Sequence, residues 1–192
     1  MWKQLSISVR LVIVMTVLTG FLYPGIVTVL CQWLFPTTAN GSLIRVNGRV
    51  VGSSLIGQNF TKPEYFHPRP SAAGGGYDAS NSGGSNYGPT NQKLIDRVKN
   101  SIAEFRKANP DYKGPIPADL VTASASGLDP DISPASAEAQ APRVAQARGV
   151  PLGEINQLIR AHIKGRAAGF LGVPRVNVLE LNLELDRQFG HR

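Results

Sequence analysis

The sequence predicts an α+β protein: a single N-terminal transmembrane helix, then one compact extracytoplasmic domain with a small β-sheet and three to four helices. Three observations carry this. From Leu11 to Ile44 there is no Asp, Glu, Lys, Arg or His. Two β-rich runs, Leu43–Val46 and Arg49–Val51, are separated by Asn47-Gly48, a strong hairpin signal because a type I′ turn needs positive φ twice. Further along, apolar residues recur at helical spacing behind recognisable caps.

The apolar run divides the chain into a cytoplasmic N-terminus (1–10), a membrane helix (11–35) and a domain (36–192). As a helix, the stretch from Leu11 to Phe35 reaches about 37 Å, enough for a hydrocarbon core of about 30 Å with some tilt. Thr16, Thr19 and Thr28 can bond back to their own helix carbonyls. Pro24, between Tyr23 and Gly25 near the middle, removes one backbone bond and predicts a kink that neighbouring helices would compensate, so these three residues are candidate subunit contacts. Trp2 and Trp33 bracket the run as interfacial anchors do. A cleaved signal peptide would have a shorter apolar region, although Thr37-Thr38-Ala39 could serve as its cleavage site. A lipoprotein signal would need a small residue before Cys31, where Leu30 stands. Lys3 and Arg10 lie before the run and the first charge after it is Arg45, so the positive-inside rule puts the N-terminus in the cytoplasm and the domain outside.

Cys31 is the only cysteine, so no intramolecular disulfide is available and the domain must stand on its own core. After the hairpin, the stretch Tyr65 to Pro70 reads as extended and proline-fixed. Residues 71–91 form a long Gly/Ser/Asn-rich loop, and loops of this kind in compact domains are usually functional or disordered. Thr90 or Asn91 then caps a helix with apolar positions Leu94, Ile95, Val98, Ile102 and Phe105, ended by Asn109-Pro110. Ser133 caps the next helix with Pro134 at its first position, and Gly149 ends it. Pro142 is expected to kink or split that helix. A third helix is expected from Leu152 to Lys164, burying Ile155, Leu158, Ile159 and Ile163, with Gly165 ending it. Val176-Asn177-Val178 reads as a strand, and Leu181, Leu185 and Phe189 fit one helical face.

Charge and motifs exclude several functions. The net charge is +7, and +5 once Lys3 and Arg10 are removed. There is no basic block or zinc-finger spacing for nucleic acid, and a basic domain does not concentrate cations by its net field. No P-loop, no Asp-Lys-Thr-Gly-Thr and no nucleophile elbow is present. His67, His162 and His191 show no metal spacing. The expectation is a chain without catalytic or metal-binding residues of its own. Two candidate sites remain. Ser82-Gly83-Gly84-Ser85-Asn86 could hold an anion on backbone amides, or be a flexible connector. Thr122, Ser124 and Ser126, followed by Asp129 and Asp131, could coordinate a cation or contact a subunit. The same residues also fit a strand of small residues followed by an Asp-Pro turn. Arg69, stiffened between Pro68 and Pro70, suits an interface ion pair.

The segments GSLI (41–44), LIGQNF (55–60), YFHPRPSA (65–72), SGGSNYGPTN (82–91), PADLVTASASGLDPDISP (117–134), PRVAQARG (142–149) and VNVLELNLELD (176–186) occur in order. In these the chain resembles the C subunit of the bacterial Kdp potassium-transporting ATPase. The resemblance implies an accessory, single-span subunit of the inner membrane, without catalysis of its own. Its partners would be a channel-like potassium-binding subunit, a P-type ATPase subunit and the lipid bilayer. ATP and potassium would be handled by the complex, with no cofactor bound directly. The alternative it implies is a chaperone role, in which the Ser82-Gly83-Gly84 loop, similar to the core of the ABC-type ATPase signature motif, raises the pump's affinity for ATP.

Overall fold

The computed structural model describes residues 1–190, in two compact units, Met1–Val51 and a unit beginning at Gly52. His191 lies outside the described residues.

The first unit is dominated by a helix from Trp2 to Leu34. It consists of α1 (Trp2–Thr16), a π-helical turn (Val17–Leu22) and α2 (Tyr23–Leu34). None of its residues is buried. The π turn is the structural answer to Pro24. Proline lacks the N–H that would reach four residues back, and its ring collides with that carbonyl. Widening the preceding turn, so that Tyr23 N–H bonds Leu18 C=O, absorbs the misfit without interrupting the helix. The Thr19 hydroxyl donates to Met15 C=O at 2.7 Å, as its place inside an apolar helix requires. A short turn, α3 (Pro36–Ala39), follows. Then β1 (Leu43–Val46) pairs with β2 (Arg49–Ser53) in a hairpin. Asn47 and Gly48 both take positive φ, 50° and 79°, as a type I′ turn demands.

The second unit is built on three helices: α5 (Pro134–Arg148), α6 (Leu152–Ala161) and α7 (Val178–Phe189). Ile155, Ile159, Leu181 and Leu185 are fully buried among them with Val144. Each such side chain contributes about 1.5–3 kcal/mol. On α5 the buried apolar residues are alanines (137, 139, 141, 145) and Val144, small side chains that let neighbouring elements approach closely. β3 (Asp131–Ile132) and β4 (Val176–Asn177) pair antiparallel, Asp131 opposite Asn177 and Ile132 opposite Val176. The described strands thus form two separate two-stranded ladders rather than one sheet. Phe66, from the extended stretch after the hairpin, inserts fully into the core.

The caps follow the sequence. The Asn91 side chain accepts from Lys93 N–H and opens α4 (Gln92–Ala108). The Ser133 hydroxyl accepts from Ser136 N–H, and Gly149 closes α5 in the left-handed region at φ 65°. Three expectations are corrected. Pro142 neither splits nor ends α5, which continues to Arg148. The carbonyl it frees belongs to Glu138, an exposed residue on the solvent side of the helix. α6 stops at Ala161 rather than Lys164. His162 bonds back to Leu158 C=O through Nδ1 at 2.9 Å, and Lys164 is taken into a two-stranded arm with Arg175. Finally, residues 122–126 are not a strand. Thr122 closes the 3-10 turn Ala118–Leu120 by bonding Ala118 C=O with both its N–H and its hydroxyl, and no ladder partner follows until Asp131.

Candidate functional site

The stretch 63–68 has no neighbouring strand: it opens in a turn, where Tyr65 N–H bonds Lys62 C=O at 3.2 Å, and side chains satisfy the backbone of Phe66 and His67 beyond it. Asn182 of α7 spans Phe66 as a strand would: its oxygen accepts from Phe66 N–H at 2.8 Å and its amide donates to Phe66 C=O at 3.0 Å. Gln140 of α5 does the same for His67, at 2.8 and 3.1 Å. Arg143 donates Nε–H to Asn109 at 2.9 Å, and its other nitrogens reach the carbonyls of Pro63 and Tyr65 and the Gln140 side chain. Arg148, 2% exposed, donates to Glu64 C=O, Gly190 C=O and the Asp186 carboxylate, the last at 2.7 Å. The Tyr65 hydroxyl donates to the other Asp186 oxygen, and its ring lies under the Arg148 guanidinium, 5.0 Å from the centroid. Two buried arginines are thus solvated by protein oxygen. Burial lowers the Arg143 pKa to about 10, with Glu64 opposing the shift, so it stays charged near neutrality. His67 is held below its ordinary value by burial and then by the Arg143 charge.

The two loops singled out in the sequence meet. Gly83 N–H and the Ser82 hydroxyl both donate to Ser126 C=O, each at 2.9 Å. A Cβ on Gly84 would sit 2.9 Å from Ala125 C=O, and one on Gly127 would sit 2.7 Å from the Ala73 backbone. The Ser71 hydroxyl donates to Gly127 C=O at 2.6 Å. Small residues in both loops therefore serve close backbone packing. The Gly83 amide is bonded to Ser126 C=O. Asn86 takes a left-handed turn at φ 50°.

The hydroxyls of the second candidate do not converge. Thr122 bonds Ala118, the Ser126 hydroxyl accepts from Leu128 N–H, and Ser124 is buried. Its aspartates are engaged by arginines: Asp129 by Arg69 at 2.8 Å and Asp131 by Arg175 at 3.0 Å. Arg69, expected at an interface, is thus tied within its own domain, and Arg69 C=O accepts from the Tyr77 hydroxyl at 2.8 Å. Burial, then the Asp129 charge, pushes the Tyr77 phenol well above its usual range. Beside this corner lies an open cleft of about 620 Å³, lined among others by His67, Arg69 and Tyr77 and by Arg97, Ser101 and Glu104 of α4. Its charges are mixed, and no nucleophile–base pair is assembled in it. Among the described residues no group of three His, Cys, Asp or Glu side chains is placed to hold a metal ion. Tyr23, Pro24 and Gly25 begin α2 and are exposed; Gly25 leaves a notch with nothing near its missing Cβ.

Gln140, Arg143, Arg148, Asn182 and Asp186 escaped the sequence reading. Their signal was present: polar residues stand among the apolar ones of α5 and α7, in QAPRVAQARG (140–149) and LELNLELD (179–186).

Comparison with known proteins places this architecture. The family model described as "K+-transporting ATPase, c chain" matches residues 5–187. A protein named "Potassium-transporting ATPase KdpC subunit" from Koribacter versatilis is 56% identical over 187 residues, 97% of this chain and 95% of that one. Its namesake from Myxococcus xanthus is 56% identical over 191 residues, 99% of this chain and 90% of that one. One from Caulobacter vibrioides is 60% identical over 175 residues, 91% and 88% of the respective chains. The match runs through the stretch 63–68, α5 and nearly all of α7, and the chain belongs to the KdpC family, the C chain of the K+-transporting ATPase.

Proposed function

We propose that this chain is a non-catalytic, single-pass subunit of the bacterial inner membrane that assembles and stabilises an ATP-driven potassium uptake complex. Residues 1–10 lie in the cytoplasm, 11–35 span the bilayer, and 36–192 form the periplasmic domain. Its partners are the channel-like potassium-binding subunit and the P-type ATPase subunit. The helix packs against partner helices around Tyr23, Pro24 and Gly25, where the Gly25 notch accepts a neighbouring side chain. The carrying observation is the helix from Trp2 to Leu34, long, apolar and without a buried residue, with its only charges, Lys3 and Arg10, in its first third. The polar groups of the domain are largely spent on its own backbone, which suits a rigid support more than a reaction centre.

Orientation is tested with a cysteine at the exposed position Ser80, in a Cys31→Ser background, and a membrane-impermeant maleimide. Labelling of intact spheroplasts is expected; labelling only after the membrane is broken overturns the topology. The alternative, a nucleotide site at Ser82–Asn86 that raises ATP affinity, has less support, because the Gly83 amide and Ser82 hydroxyl are already bonded to Ser126. The loop also carries no lysine or arginine to meet a triphosphate. Calorimetry on the purified chain with Mg-ATP at physiological salt separates the two. Saturable binding tighter than about 0.1 mM, roughly −5.5 kcal/mol, that is lost on altering Ser82-Gly83-Gly84 would favour the alternative.

A further inference from the structure

Residues 164–175 form an arm outside the residues assigned above. Its base is a rung in which Lys164 and Arg175 exchange both backbone bonds, at 2.8 and 3.0 Å. Ala167 and Leu171 exchange both of theirs at 2.9 Å nearer the tip. Ala168 and Gly169 turn the chain with φ of 51° and 82°. The base is pinned to the domain by Lys164–Glu180 at 2.6 Å and Arg175–Asp131 at 3.0 Å. Beyond it nothing covers the arm: every residue from Lys164 to Pro174 is exposed. Yet the tip is apolar, with Phe170 70%, Leu171 56% and Val173 67% exposed. From Gly165 to Pro174 there is no acidic residue, and the one charge there, Arg166, has no ion-pair partner among the described residues. An ordered backbone that holds three large apolar side chains in water has a missing partner.

We propose that this partner is the bilayer: the tip Phe170-Leu171-Val173 seats in the head-group region, and Arg166 meets anionic lipid phosphate. An aromatic and two aliphatic side chains beside a cation, without nearby acid, is the composition of an interfacial membrane contact. The chain also carries its own apolar anchor, which tethers the domain to a bilayer at all times, so a shallow contact forms without the entropy loss of recruitment from solution. The arm gives the domain a second attachment to the membrane, one that restrains its tilt. This rests on the anchored reading above, and the test separates the two.

The full-length chain is reconstituted into vesicles of equal parts phosphatidylcholine and phosphatidylglycerol. An environment-sensitive fluorophore is attached at native Cys31 in one sample and at Phe170→Cys in a Cys31→Ser background in another. Nitroxide labels on the lipids, near the head group or deep in the acyl chain, quench by contact. The Cys31 probe is expected to be quenched, and the 170 probe to be quenched more by the shallow label than by the deep one. Arg166→Glu, or vesicles of phosphatidylcholine alone, should reduce quenching at 170 about twofold or more while leaving Cys31 unchanged. A quenched Cys31 with an unquenched 170 overturns the arm proposal and leaves the anchor standing. An unquenched Cys31 overturns the anchor and the arm with it. A 170 probe that is shielded from a water-soluble quencher only when the other subunits are co-reconstituted makes the arm a protein contact, which also overturns the proposal.

Discussion

Two extended segments, Pro63–Pro68 and Lys164–Arg175, solve the same backbone problem in opposite ways. Neither lies in a regular sheet. The first inserts Phe66 into the core, so the polar backbone groups it buries there must find partners. Asn182 and Gln140 supply amides in the geometry of a strand, and Arg143 and Arg148 supply donors to its carbonyls. The second keeps its own rungs and stays in solvent. Buried structure here is held by polar side chains, and the exposed structure displays the apolar ones. Residue type alone therefore misreads both segments; what matters is whether the backbone beside it has water.

The contrast can be broken at several points. The largest effect is expected at Arg148→Met, which takes the guanidinium away from the Asp186 carboxylate and frees two carbonyls: a loss of about 3–5 kcal/mol, read from urea unfolding of the chain in detergent. Adding Asp186→Leu should recover part of that loss, since the uncompensated charge is then gone. Next comes Asn182→Leu, which fills the space but leaves both polar groups of Phe66 unpaired, at about 2–3 kcal/mol. Gly127→Ala should cost about 1–3 kcal/mol, because it combines a φ of 67° with a Cβ 2.7 Å from Ala73, whereas Gly169→Ala in the arm, at φ 82° with open space, should cost about 1 kcal/mol.

A smaller effect is set by pH. His67 is buried and its folded pKa lies below the unfolded value of 6.5. The unfolded chain therefore takes up the proton first as pH falls. Stability is fully present above 6.5 and is lost progressively below it, down to the folded pKa. Urea midpoints should decline between neutral pH and pH of about 5, and His67→Gln should flatten that decline. The smallest effect is expected in the arm. Phe170→Ser with Leu171→Ser should change stability by less than about 0.5 kcal/mol while abolishing any contact the tip makes. A large loss there would mean that the tip is packed and would erase the contrast.

What the chain announces locally is what proved readable. The Asn47-Gly48 hairpin, the Asn91 and Ser133 caps, the Gly149 stop and the Leu181, Leu185 and Phe189 face each depend on residues within a few positions of one another. The apolar run is equally legible as a long helix, because its length and composition lie in the residues themselves. The split considered at Pro142 does not occur, because the cost of a proline inside a helix depends on the surroundings of the carbonyl it frees, here on exposed Glu138. The end of α6 was misread because Lys164 is claimed by Arg175, on the far side of a turn.

The candidate sites mark the boundary most clearly. Sequence established that the loop at 71–91 is rich in small residues and that Arg69 stands between two prolines. Only the folded chain sets Gly83 against Ser126, Arg69 against Asp129 and Asn182 against Phe66, 116 positions away. The physical reason is that a hydrogen bond or ion pair has no sequence period. Helices and strands repeat, so their apolar faces can be counted along the chain. A buried amide or guanidinium is satisfied by whichever distant carbonyl the packing delivers.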